Sequence, residues 1–375
     1  MIGRGIDQIL PYPSNSKIYE PFVKDARDYV RFAEEINGKI DYPVSFDYIW
    51  GDALKELEKV DLRIINLETT ITTSENFEPK GINYRMNPKN IDVLKVFKVN
   101  VACLANNHIL DFKEEGLLET IEVLNKNGIL TVGAGRNIEE AKKPIIFRCR
   151  TSKILIFNYA DVSSGVPIWW KAEKNKAGVN LITNLTQINA DKITQINIDK
   201  YISENPRNKH PRQSARENNI CENPRSSLVI FSIHWGPNWG YEITKEQKNF
   251  AYRLIDEANV DIVFGHSSHH FKGIETYKNK IIIYGAGDFI NDYEGIGGYE
   301  NFRPDLVLGY IVEISNNKNE LKINRLILLP FKIKKFRLNY CNKEEIDWIF
   351  NVLKRESKVD GEFIKEENRI ILKLS

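Results

Sequence analysis

Cysteine and long apolar runs are both scarce in this sequence. The chain of 375 residues contains four cysteines, and no two of them form a CxxC pair. This spacing excludes a zinc knuckle or a disulfide framework, so reduced thiols are expected. No uninterrupted apolar stretch approaches the roughly 20 residues that span a bilayer, and no membrane segment is predicted in this chain. The cysteines are Cys103, Cys149, Cys221 and Cys341.

An excess of charge of one sign is also absent. The chain has 53 Lys+Arg against 51 Asp+Glu, a net charge of +2. Bulk electrostatics therefore give no reason to expect a nucleic-acid partner, and the basic residues at 205–225 are weak evidence for one. The first residues carry no basic region followed by an apolar one. This predicts no signal peptide and a cytoplasmic location for the chain as written.

Apolar runs with β-branched residues alternate with amphipathic stretches through most of the chain, which predicts an α/β fold. Continuously apolar strands such as 228–233 suit a sheet covered on both faces. Strands are predicted at 60–67, 99–105, 129–132, 228–233 and 261–264, with helices at 90–97, 116–127 and 244–258. Hairpins are predicted at 145–159, 274–284 and 307–329.

The composition also predicts the domain organisation. Residues 1–330 are expected to form the main domain, and 331–375 a helix and hairpin extension packed on it. The segment 184–225 is rich in Asn, Arg, Lys and Gln and contains three prolines. It is predicted to include, in its second half, a disordered insertion within the main domain.

Polar side chains follow four of the predicted strands, where ligands bind in open α/β sheets. Five of the six histidines fall in three of these loops. Imidazole suits Zn, Fe and Mn, and carboxylate and amide oxygens suit Mn, Mg and Fe. The sequence therefore predicts a pocket for one or two divalent ions, of Mn, Fe, Zn or Mg. The four loops are 66–69, 106–111, 234–236 and 265–270.

Each loop also has a simpler interpretation. His234 alone reads as a satisfied buried histidine, and Glu68 as a cap of a following helix or turn. Asn106-Asn107 is also turn chemistry, and His108 with Asp111 is also a local hydrogen bond. The joint occurrence of the four loops favours the metal site.

The loops, in this order, resemble the CapA family of poly-γ-glutamate capsule proteins, within the calcineurin-like metallophosphoesterase superfamily. The resemblance covers nearly the whole chain. It implies a four-layer α/β/β/α sandwich with its site at the strand ends. The motifs that carry it are Gly3-Arg4-Gly5, Asn66-Leu67-Glu68-Thr69, Ala105-Asn106-Asn107-His108, His234-Trp235-Gly236, Gly265-His266-Ser267-Ser268-His269 and Tyr284-Gly285-Ala286-Gly287-Asp288-Phe289.

The resemblance also implies roles for individual residues. His108 matches the histidine that protonates the leaving group, and Asp111 orients it. Arg85 is expected to contact an anionic substrate, with a surface salt bridge as the equal alternative. His270 has no assigned role and is expected at the rim or in the core. The implied metal ligands are Glu68, as a bridging carboxylate, with Asn107, His234, His266 and His269.

One motif departs from the family pattern. The family's first strand ends in Gly-Asp, whose Asp is a metal ligand, shortly before Gly-Arg, but here Gly3-Arg4 follows Met1 almost directly. Three interpretations stay open: a start upstream of Met1, weak binding of one metal, or loss of hydrolysis. The predicted function is a CapA-like, metal-dependent hydrolase acting on an anionic polymer or a phosphate-containing small molecule in capsule or poly-γ-glutamate biosynthesis. The alternative is a non-catalytic accessory or binding protein with an incomplete metal site.

Overall fold

The computed structural model describes residues 1–149, 152–186, 227–317 and 320–374. From residue 187 onwards, the predicted insertion at 184–225 lies outside these ranges. Helices α1 to α8 are Gly5–Ile9, Arg27–Asn37, Ala53–Glu56, Asp92–Val96, Lys113–Lys126, Ile138–Lys142, Lys245–Ala258 and Lys343–Glu356. Strands β1 to β19 are Ile64–Asn66, Thr70–Ile71, Arg85–Met86, Val101–Cys103, Leu130–Val132, Ala134–Gly135, Ile145–Cys149, Ser152–Asp161, Gly178–Val179, Leu181–Ile182, Ser227–His234, Ile262–His266, Ile274–Tyr277, Lys280–Ile283, Leu306–Asn317, Glu320–Lys334, Arg337–Tyr340, Gly361–Lys365 and Ile370–Leu374.

Two sheets with parallel strands confirm the α/β prediction. In the first sheet the order is β1-β4-β5, and all strands run parallel. The second has the order β10-β8-β11-β12-β14-β13, and β8, β11, β12 and β14 are parallel. The Ala105 N–H donates to Asn158 Oδ1 at 2.7 Å and joins the two sheets. The carboxyl ends of β4 and β11 therefore face one site.

The predicted hairpins are present as β7/β8, β13/β14 and β15/β16, each antiparallel. The predicted carboxyl-terminal helix and strands are α8, β18 and β19. Strand β19 pairs with β16, which itself crosses residue 330. The segment after 331 thus shares a sheet with the preceding chain, and the domain boundary at 330 stays a prediction.

The second sheet is covered on both faces, as its apolar strands predicted. Along β11, Phe231 and Ile233 pack with helix α7, while Leu228 and Ile230 pack in one core with residues of strands β15 and β16. Val101 of the first sheet belongs to the same core as Leu228 and Ile230. Alternation of side chains along a strand explains how one strand serves both layers.

Several elements differ in length from the predictions. Strand β1 covers only Ile64–Asn66 of the predicted 60–67, and helix α5 begins at Lys113 rather than at residue 116. In the described part of the chain no strand precedes β1, and the first element is helix α1. No helix within these residues is long and apolar enough to cross a bilayer.

Candidate functional site

Two histidines from neighbouring strands form the centre of the candidate site. Parallel pairing of β11 with β12 sets His234 directly opposite His266. Their Nδ1 atoms lie 2.8 Å apart, and both rings are buried. His266 Nε2 lies 2.9 Å from Ser232 Oγ, which fixes the orientation of the second ring. Strand register therefore positions this pair.

Loops that follow strands of the first sheet place an amide and a carboxylate beside His234. Asn107 Oδ1 lies 3.1 Å from His234 Nε2, and Glu68 Oε1 lies 3.8 Å from the same nitrogen. The Asn66 side-chain amide donates to Glu68 Oε2 at 3.1 Å and holds that carboxylate. Loops after β1 and β4 therefore meet the end of β11.

His269 reaches the cluster through an unusual backbone conformation. Ser267, between the two histidines, has a φ of 115°, which is rare for a residue other than glycine. Its hydroxyl donates to the Gly236 carbonyl at 2.9 Å and holds the turn in place. His269 Nδ1 then lies 3.1 Å from Asp288 Oδ2, and its Nε2 lies 3.4 Å from the Tyr293 hydroxyl.

A second histidine–carboxylate pair lies at the end of β4. His108 Nδ1 is 2.7 Å from Asp111 Oδ2, and the Tyr84 backbone N–H donates to the same oxygen at 2.6 Å. Because Oδ2 accepts, His108 Nδ1 carries the proton in this pair. The pair is buried, so the imidazole is held in one tautomer.

Burial dominates the protonation equilibria of the site. It raises the pKa of Glu68 to about 7, against the opposing effect of His269. It lowers the pKa of His266 to about 3 and that of His108 to about 4, the latter despite Asp111. The pKa of His234 is also lowered well below its usual value by burial and by His266. These three rings are therefore neutral at pH 7.

His269 behaves differently from the other histidines. Burial lowers its pKa, but the Asp288 carboxylate together with Glu68 raises it by more, so that the pKa of His269 ends above its usual value. In turn, burial raises the pKa of Asp288, and His269 together with the amino terminus and Asn291 more than reverses that change. Each of the two groups therefore favours the charged form of the other.

Seven of the eight predicted site residues come together in this buried region. The exception is Arg85, whose guanidinium donates to the Ser74 and Asn15 carbonyls and pairs with Glu75 at 2.9 Å. The alternative expected for Arg85 was a surface salt bridge, whereas the Arg85 side chain in this pair is buried. The roles of all eight residues stay predictions. The seven are Glu68, Asn107, His108, Asp111, His234, His266 and His269.

Three further residues at the site had no assigned role in the sequence. Asp288 follows strand β14, so its position after a buried strand is a signal of the same kind as the four loops. Tyr293 and Lys80 lie in stretches without periodicity, and only tertiary contacts bring them here. His270 instead accepts from the Gly240 N–H and stacks on Phe302, in agreement with the expected structural or rim position.

The donor set fits a divalent ion, although among the described residues no three His, Cys, Asp or Glu side chains form a ready metal-binding group. Ligand histidines must be neutral, as His234 and His266 are. They also usually engage their second ring nitrogen with a fixed partner. His266 engages Ser232 in this way, and His269 engages Asp288.

Comparison with known proteins identifies the family. The family described as "Bacterial capsule synthesis protein PGA_cap" matches residues 1–293. The chain belongs to the PGA_cap family. This confirms the resemblance to CapA proteins that the strand-end motifs indicated.

Relatives of this PGA_cap chain carry related names. A "probable polyglutamine synthesis accessory protein" of Mycobacterium tuberculosis is 38% identical over 367 residues, which cover 96% of this chain and 90% of the relative. The "PGA biosynthesis protein CapA" of Bacillus subtilis is 28% identical over 230 residues, 60% of this chain and 52% of the relative. The match therefore covers about half of the Bacillus protein.

Proposed function

We propose that this chain is a metal-dependent hydrolase of the metallophosphoesterase type that acts in capsule or poly-γ-glutamate biosynthesis. The observation that carries the proposal is the meeting of His234 and His266 from one sheet with Glu68 and Asn107 from another. The superfamily's four-layer α/β/β/α arrangement belongs to this proposal. The two parallel sheets, joined at their carboxyl ends, support it.

Nitrogen and oxygen donors from five residues would hold the metal. When bound, one or two ions of Mn, Fe, Zn or Mg would lower the pKa of a water molecule and neutralise charge on a substrate oxygen. Asp288 and Ser232 orient the outer nitrogens of two of the ligand rings. The five residues are Glu68, Asn107, His234, His266 and His269.

His108 is the proposed general acid. Its Nδ1–H bond to Asp111 fixes the tautomer, so Nε2 is the atom that gives a proton to the leaving group. With a pKa near 4, the ring is neutral at pH 7 in the protein alone. Negative charge on a bound substrate raises this pKa and favours the protonated ring. The proposed substrate is accordingly anionic: a polymer, or a phosphate-containing small molecule.

A non-catalytic accessory or binding role is the second candidate. His234 and His266 bond directly to each other at 2.8 Å, so a hydrogen bond already engages both Nδ1 atoms. The Mycobacterium relative is also named an accessory protein. In this role the chain would bind the anionic polymer without cleaving it.

Hydrolysis of bis(p-nitrophenyl) phosphate with added Mn²⁺ tests the choice between the two. The His108→Gln variant should lower kcat by about 10²- to 10⁴-fold, the usual contribution of a general acid. His270→Gln is the matched control, because that ring bonds to Gly240 and Phe271 rather than to the cluster. No turnover by the unaltered chain with Mn, Fe, Zn or Mg would refute the hydrolase and favour the accessory role.

A further inference from the structure

Lys80 lies at the candidate site without a role in any step above. It belongs to the loop between β2 and β3, and its ammonium donates to the Asn107 carbonyl. Nζ lies 2.8 Å from Asp111 Oδ1 and 3.2 Å from His108 Nδ1. The loop is fixed there because the Glu78 N–H donates to the Asp111 carbonyl at 2.8 Å.

The exposure of Lys80 differs from that of its partners. Its side chain is 21% exposed, whereas those of Asp111 and His108 are 0% and 9% exposed. Lys80 is therefore the most exposed of these three side chains.

The ammonium also retains hydrogen-bonding capacity. It has three N–H donors, and the described residues engage it by one hydrogen bond to Asn107 and one ion pair with Asp111. His108 Nδ1 is not a third acceptor, because its proton points to Asp111. Among the described residues, no oxygen atom accepts from its third N–H.

The charge of Lys80 acts across the site. It contributes to the lowered pKa of His108 and of His234, and it opposes the rise in the pKa of Glu68. Arg85, by contrast, is engaged with Glu75 and backbone carbonyls. Lys80 is thus better placed than Arg85 to attract a negative substrate.

Two tryptophans border the Lys80 side of the site. Nζ lies 5.1 Å from the centroid of the Trp170 ring, within the range of a cation–π contact. Trp169 is 65% exposed, and its indole N–H donates to Glu78 Oε1 at 3.3 Å. Glu78 lies in the same loop as Lys80, so this hydrogen bond connects the exposed Trp169 ring to that loop.

We propose that Lys80 binds an oxyanion of the substrate, phosphate or carboxylate, beside His108 and Asp111 at the edge of the histidine cluster. The inference rests on the proposed function for the idea that a substrate enters here. It adds the chemical class of the group that is recognised and the residue that recognises it. Lys80 takes the substrate-contact role that the sequence gave to Arg85.

Calorimetric titration with inorganic phosphate and with hexaglutamate, each added separately, tests this. A lost hydrogen bond to a charged group is worth about 1.5–3 kcal/mol, so Lys80→Gln should weaken binding of the recognised anion roughly 10- to 100-fold. Lys80→Arg, which keeps the charge, should retain most of the affinity. Lys174→Gln is the matched control, because it removes the same charge from an exposed position. The anion whose binding depends on Lys80 shows whether the recognised group is a phosphate or a carboxylate.

Equal binding by Lys80→Gln and the unaltered chain would overturn the proposal, and so would binding of neither anion by the unaltered chain. Titration requires no turnover. If the chain binds an anion through Lys80 but shows no hydrolysis, the anion-binding role of Lys80 is upheld and the hydrolase is refuted. With hydrolysis present, a fall in kcat at unchanged KM in Lys80→Gln would mean that Lys80 acts only through Asp111, and would also overturn the proposal.

Discussion

Single residues other than the histidines determine how the histidine rings are oriented. Ser267 holds a φ of 115° between His266 and His269, and Asp288 holds the outer nitrogen of His269. The motifs predicted which histidines meet, because each follows a strand. They did not predict Lys80 or Tyr293, because loop side chains are placed by tertiary contacts that have no periodic signal.

Asp288→Asn provides a test at this scale. The amide orients the His269 ring less firmly and no longer makes it more basic, so Mn²⁺ affinity should fall about 10- to 100-fold, the usual effect of losing such a partner. Titration calorimetry measures this. Asp256→Asn, which removes an exposed carboxylate paired with Lys278, should bind Mn²⁺ as the unaltered chain does. Equal affinity in Asp288→Asn would contradict the role given to Asp288.

At the scale of elements, capping residues and polar turns were sufficient to predict one helix and the hairpins. The helix predicted from Thr244 is α7, and Thr244 forms a capping box with Gln247. The three hairpins were also correct, because polar turns separate their apolar runs. Helix α2 has no counterpart among the predictions, although its buried residues, Tyr29, Val30 and Ala33, recur at helical spacing. Strands of two residues, such as β2, are too short to show alternation.

Thr244→Ala should destabilise the protein by about 1 kcal/mol, because the Gln247 N–H loses its acceptor at the start of α7. Urea unfolding at neutral pH measures this. Thr244→Ser keeps the hydroxyl and should lie close to the unaltered chain. Equal stability of the alanine and serine variants would show that the capping box does not contribute.

At the scale of the whole molecule, the site lies where distant parts of the chain meet. Arg4 pairs with Asp292 at 2.6 Å and with Glu20 at 2.9 Å, and all three are buried. Tyr84 and Tyr293 lie beside the same guanidinium and contact each other at 3.1 Å. This network connects the first residues to the His269 side of the site. The sequence did not predict this network, because the partners of Arg4 lie far from it along the chain.

Buried neutral histidines make stability depend on pH. Unfolded histidines titrate near pH 6.5, whereas the folded pKa is about 4 for His108 and His270 and about 3 for His266. Between these values the unfolded state binds more protons, so stability falls as pH drops below about 6.5. Glu68, with its raised pKa, acts in the opposite direction between its unfolded value and about 7.

The histidines with lowered pKa values outnumber Glu68 and His269, whose raised pKa values act in the opposite direction. The free energy of unfolding should therefore be lower near pH 5 than near pH 7, by on the order of 1 kcal/mol per histidine for each pH unit at most. Urea unfolding at the two pH values measures the difference. Equal or greater stability near pH 5 would mean that these rings are already protonated in the folded protein.

The metal content of the purified chain tests the central claim most directly. After incubation with Mn²⁺, Fe²⁺, Zn²⁺ or Mg²⁺ and gel filtration, elemental analysis should find about one or two ions per chain for at least one metal. The variant with both His234→Ala and His266→Ala should retain none while Glu68 and Asn107 remain. No retained ion in the unaltered chain, or an equal amount in the double variant, would contradict a metal site at these strand ends.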